Sequence, residues 1–151
     1  MAQYSFKLQH EPIEFTNEQG EVLFTLDIED LSFPLRFQKL VEDMQKIENK
    51  QKQKEIIISK KEDKEEGLMS KNQREILKSR NEALNEERKV LDAFFGEGTS
   101  ERVFGPKNYV TMFFDFFSVI LPALDEAGVQ LDNTYDLIKK KYGIKDDEKE
   151  L

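Results

Sequence analysis

The sequence contains no cysteine and a single histidine. The first absence excludes disulfide frameworks and thiol chemistry and suits a reducing compartment. The second leaves His10, in an extended acidic segment, as the one imidazole, and a surface role is expected for it rather than that of a general base. A membrane-length apolar run is also missing. The most apolar stretch, Tyr109 to Leu121, is broken by Thr111, Asp115 and Ser118 and falls short of the roughly twenty residues a spanning helix requires. Met1 to Phe15 lacks both a basic n-region and an apolar h-region, so no signal peptide is expected and the chain reads as soluble and intracellular. No domain-scale basic surface is available to track a phosphate backbone, because the net charge is −8, and no nucleic-acid partner is expected. The lysine-rich runs Lys50 to Lys54 and Lys139 to Lys141 are short, flanked by acids, and read as solvated helix faces.

Catalytic parts are equally scarce. No serine lies in a nucleophile-elbow pattern. Gly96-Glu97-Gly98 is not a phosphate loop, since no Gly-Lys-Ser/Thr follows and Glu97 would repel phosphate. Glu62-Asp63 and Glu65-Glu66 lack the Asp/Asn-Gly spacing of a calcium loop. Neither an enzyme nor a cofactor or metal site is expected. Asp115, set among four phenylalanines, is the carboxylate expected to meet a base or face a seam if buried, with Lys107 or Arg102 as partner.

What the chain does contain is charge and a clustered minority of apolar residues. Charged residues make up 36% of its 151 positions and the mean hydropathy is −0.68, so one small core with a solvated arm is expected in a single domain. Residues 1–32 hold seven acids against Lys7 alone, whereas residues 42–92 are dense in both signs and balanced.

The expected fold is mainly α with a β component (α+β). Residues 1–31 form an extended N-terminal region. Tyr4 to Leu8 alternates, Ile13-Glu14-Phe15 keeps the period, Asn17 to Gly20 makes a turn, and Val22 to Ile28 reads as a further strand. This gives a β-hairpin or a small three-stranded meander, either a lid on the core or a contact element. Residues 32–95 are expected to form two long helices in a charged hairpin arm. Ser32 and Pro34 start the first, whose face is Leu35, Phe37, Leu40, Val41, Met44 and Ile47 and which continues to about Glu66. Ser70-Lys71-Asn72-Gln73 matches a capping box that opens the second, running to about Phe95. Its apolar residues recur every seven (Met69, Ile76, Ala83, Val90, with Leu77, Leu84 and Leu91 beside them), while Gln73, Arg80 and Glu87 are polar, so the seam is thin.

Residues 96–143 hold a short helix, a Phe-rich helix and a final helix that Asp132-Asn133-Thr134 can cap; residues 144–151 read as a disordered polar tail. In FFGEGTSERVFGPKN, Gly96 and Gly98 read as a helix stop and turn. Thr99 or Ser100 caps one helical turn, Glu101 to Phe104, and Gly105-Pro106 closes it. Gly96, Gly98 and Gly105 are thus structural turn residues. In the next helix Phe113, Phe114, Phe116 and Phe117 cover most of the circumference, which marks either a central helix or an oligomer contact. The scarcity of other apolar sequence favours the contact. Its expected partner or self-association surface is Tyr109, Met112, Phe113, Phe116, Phe117 and Ile120, in a homo-oligomer.

The run aromatic-aromatic-Gly-Glu-Gly-Thr-Ser, then Val103-Phe104-Gly105 and an aromatic helix, resembles the tail assembly chaperone-like family of siphophages and prophages of Gram-positive bacteria. The resemblance spans Val90 to Leu124. It implies a non-enzymatic protein of the host bacterial cytoplasm that binds and solubilises the tape measure protein, or other tail proteins, during tail morphogenesis. A structural ring component of the tail or virion, and a phage-encoded regulatory interaction protein, are the competing expectations.

Overall fold

The structure, a computed structural model, describes residues 1–129 and 133–144. Its first elements are β1 (Ile13–Thr16) and β2 (Val22–Leu26), an antiparallel hairpin with Ile13 opposite Leu26 and Phe15 opposite Phe24. The turn is built by Asn17, whose Oδ1 accepts the N–H groups of Gln19 and Glu21, both at 3.0 Å. Such an Asx turn, with Gly20 at φ 81°, fixes the register. The meander is not formed: Tyr4 to Leu8 has no strand partner. A hairpin alone is marginal in water. This one buries Phe24 and Leu26 in the core, with Phe15 stacked on Phe24 at 4.7 Å.

Two long helices follow, α1 (Phe33–Ser59) and α2 (Lys71–Phe95). Glu48 beside Glu87, Glu55 paired with Arg80 and Lys61 paired with Glu75 run in opposite order, so α2 runs back along α1. Ser32 stands at the start of α1, but its hydroxyl donates to the Asp30 carboxylate at 2.9 Å instead of capping the helix. The α1 helix also stops seven residues short of the expected Glu66. Its end tightens as Lys60 N–H bonds the Ile57 carbonyl, and Ser59 Oγ donates to the Ile56 carbonyl. Asp63 Oδ1 then accepts the N–H groups of Lys64 and Asn72, while Asn72 Nδ2 donates to the Lys61 carbonyl. These bonds offer the backbone a local alternative to helix. A two-residue ladder, β3 (Glu65–Glu66) with β4 (Met69–Ser70), completes the tip around Gly67. Ser70 Oγ accepts from Gln73 N–H at 3.1 Å and opens α2.

The rest of the core comes from α3 (Thr99–Phe104), α4 (Met112–Glu126) and α5 (Asn133–Tyr142). The α4 helix is central. Phe113, Phe116, Phe117, Ile120, Leu121 and Leu124 are buried against Phe33, Phe37, Leu40, Val41 and Met44 of α1, Leu91 of α2 and Ile138 of α5. Rings of β2, α1, α2, α3 and α4 join in edge and tilted contacts, such as Phe24–Phe116 at 5.7 Å and Phe37–Phe94 at 5.9 Å. Asp132 and residues 145–151, the expected cap and most of the expected tail, lie outside the described residues. Ile144 does not belong to a free tail: it packs on the core, and its N–H bonds the Lys139 carbonyl. Among the described residues no helix is long and apolar enough to cross a membrane.

Candidate binding site

The corner after α2 is held mainly by Arg88, Asp92 and Asn108, which were not singled out in the sequence, together with Thr99, Ser100 and Arg102. Gly96 (φ 119°) ends α2, and Gly98 (φ 84°), rather than Thr99 or Ser100, occupies the capping position of α3. The free N-terminal amides of α3 are served from α2: Asp92 accepts Ser100 N–H at 2.7 Å and Ser100 Oγ at 3.1 Å. Thr99 Oγ1 donates to the Gly96 carbonyl. Arg88, also on α2, donates to the Gly105 carbonyl at 2.9 Å, to the Lys107 carbonyl, and to Asn108 Oδ1 at 2.6 Å. Asn108 in turn donates to Asn81 and Asn85. Arg102 reaches the other way, donating to the Leu23 carbonyl of β2 at 3.0 Å. The corner therefore fixes α3 against both α2 and the hairpin, and so sets where α4 begins.

Between the hairpin, α3 and α4 lies an open apolar cleft of about 500 Å³, with Phe15, Leu23, Val103, Phe104, Phe116 and Val119 among its walls. Five of the six residues expected on a contact surface are instead part of the protein's own core: Met112, Phe113, Phe116, Phe117 and Ile120 are each 5% exposed or less. The correction has a physical cause. The hairpin and both long helices supply the partners that composition had made look too few. Tyr109 alone of the six stays at the surface, on the rim of the cleft. The apolar surface that α4 and its approach do present is Val110, Phe114 and Val119, at 90%, 38% and 60% exposure. Asp115 is exposed on the cleft rim, and neither Lys107 nor Arg102 pairs with it. His10 lies 3.7 Å from the Asp27 carboxylate at the surface.

A second feature was hidden by the heptad pattern. Glu87, polar at a half-heptad position, is 3% exposed and faces Glu48 of α1 and Lys141 of α5. Lys141 Nζ lies 2.7 Å from Glu48 Oε2, and Tyr142 donates its hydroxyl to Glu48 Oε1 at 3.2 Å. Burial first, then the neighbouring Glu48, pushes the Glu87 carboxyl up to about 9, against which Lys141 acts in part. Burial likewise raises the Tyr142 phenol, and the Glu48 and Glu87 charges add to it. At neutral pH Glu87 thus keeps its proton and donates to Glu48, joining α1, α2 and α5. Among the described residues no three His, Cys, Asp or Glu side chains are grouped to hold a metal ion.

A family model described as a family of unknown function (DUF6673) matches residues 20–150. No curated protein and no solved structure matches the chain.

Proposed function

This chain belongs to the DUF6673 family, whose function is unknown, and we propose, from the cleft and from the resemblance of its glycine corner, that it is a non-catalytic binding protein of siphophage tail assembly. In this reading it acts in the host cytoplasm as a chaperone for the tape measure protein. The observation that carries the proposal is the open apolar cleft with exposed Tyr109 and Val119 on its walls. An amphipathic helix of a long, aggregation-prone partner lays its apolar face into such a groove. The charged α1–α2 arm and the acidic N-terminal region keep the complex in solution. The aromatic-GEGTS corner, through its resemblance to tail assembly chaperone-like proteins, supplies the identity of the partner.

Co-expression with a siphophage tape measure protein is the direct test. The expected result is a soluble complex that is lost on Val119→Asp. Unchanged insolubility of the long protein overturns the reading. Recovery of this chain in purified virions at fixed copy number would replace the chaperone with a structural ring component.

A further inference from the structure

The two strands of the hairpin are unequally engaged. On β2 the Leu23 carbonyl, at the irregularity in the ladder, is taken by Arg102 of α3. The outer edge of β1 has no hydrogen-bond partner among the described residues. An open edge next to an apolar cleft is a template for an added strand.

The segment before β1 has the pattern of such a strand and nothing to pair with. Tyr4, Phe6 and Leu8 alternate with Ser5 and Lys7, and they are 94%, 87% and 67% exposed. In this structure the segment is not folded back on its own β1. Glu11 N–H bonds the Glu29 carboxylate at 3.3 Å, and His10 lies beside Asp27. Both contacts tie residues 10 and 11 to the chain that leaves β2, on the side of β1 away from its open edge. Charge also matches: Lys7, the only base among residues 1–32, shares the polar face of the arm, and Glu14 shares the polar face of β1.

We propose that residues 4–8 of one copy add as a third strand to the free edge of β1 in a second copy. Tyr4, Phe6 and Leu8 then extend the apolar face of Phe15 over the mouth of the cleft, and Lys7 meets Glu14 across the new ladder. Five residues in this conformation span roughly 17 Å, enough to cover the four residues of β1. The inference does not depend on what the cleft binds, because it concerns the purified chain alone.

Sedimentation of the full chain tests it, with far-UV circular dichroism to follow folding. The wild type is expected to associate. Phe6→Asp with Leu8→Asp, both on exposed positions, is expected to be monomeric with an unchanged spectrum. Lys7→Glu and Glu14→Lys are each expected to weaken association about tenfold, and the double exchange to restore it. A monomeric wild type overturns the proposal. So does association that survives the Phe6/Leu8 variant, which would place the contact elsewhere. Failure of the double exchange to rescue removes the pairing with Glu14 and with it the assignment to the β1 edge.

Discussion

At Glu87 the physics turns on a proton. The unfolded chain releases this proton near 4.5, whereas the folded protein holds it to about 9. Between those values the native state binds more protons than the unfolded state, so its stability falls as pH rises, by about 1.4 kcal/mol per pH unit. The contribution is complete below 4.5 and gone above 9. Glutamine keeps the shape and a donor for Glu48 but cannot ionise. Glu87→Gln is therefore expected to flatten the dependence of Tm on pH between 5 and 9, with the variant the more stable protein at pH 8. Thermal unfolding across that range reads this directly, and parallel curves for the two proteins would show that Glu87 ionises in the fold. The heptad reading had taken Glu87 only as a polar residue that thins the seam of α2. Its burial depends on Lys141 and Tyr142 of α5, which no local pattern could bring to it.

Among the elements, those whose cause is local were readable, and those whose cause is distant were not. Ser70 and Gln73 stand three apart, and Ser70 Oγ accepts the Gln73 N–H as the motif implies. The end of α1 rests on Asp63 holding Asn72, nine residues on, and propensity alone carried the helix through to Glu66. The corner divides in the same way. Its glycines were legible as turns, but the bonds that clamp it, from Arg88 and Asp92 of α2 to residues 100–108 and from Arg102 to Leu23 of β2, join distant parts of the chain and carry no mark in sequence. Removing the central clamp should therefore cost more than its half-buried position suggests. Arg88→Ala leaves the Gly105 and Lys107 carbonyls and the Asn108 amide without their donor and is expected to destabilise the fold by about 1.5–3 kcal/mol. Arg88→Lys should recover less than half of that, since one ammonium cannot match a planar fork. Urea denaturation measures both, and equal stability of the lysine variant would show that charge alone suffices. Ser70→Ala, a cap at the far end of the same helix, is expected to cost about 1 kcal/mol by the same assay.

For the whole molecule the question is how one phenylalanine-rich helix divides between holding the fold and meeting a partner. Composition pointed to shortage and hence to an interface. The assembled fold shows sufficiency, because α4 sits where the hairpin, α1, α2 and α5 converge, and Phe113, Phe116 and Phe117 find their partners there. What remains outside is Val119, on the cleft wall beside Tyr109, and Phe114 on a different side of the helix. The two sides of α4 should therefore separate under mutation. Phe117, 1% exposed and stacked on Tyr142 at 5.1 Å, fills space that the surrounding side chains cannot close. Phe117→Ala is expected to cost about 3–5 kcal/mol, enough to threaten folding of a domain this size. Val119, 60% exposed, has little burial to lose. Val119→Asp should shift stability by no more than about 0.5 kcal/mol, while placing a second carboxylate one turn after Asp115 on the cleft wall, where an apolar partner cannot solvate it. Chemical denaturation of both variants beside partner capture by the folded one separates the roles. A Val119→Asp protein that folds and still captures its partner moves the binding surface off α4, and a stable Phe117→Ala protein removes the helix from the centre of the core.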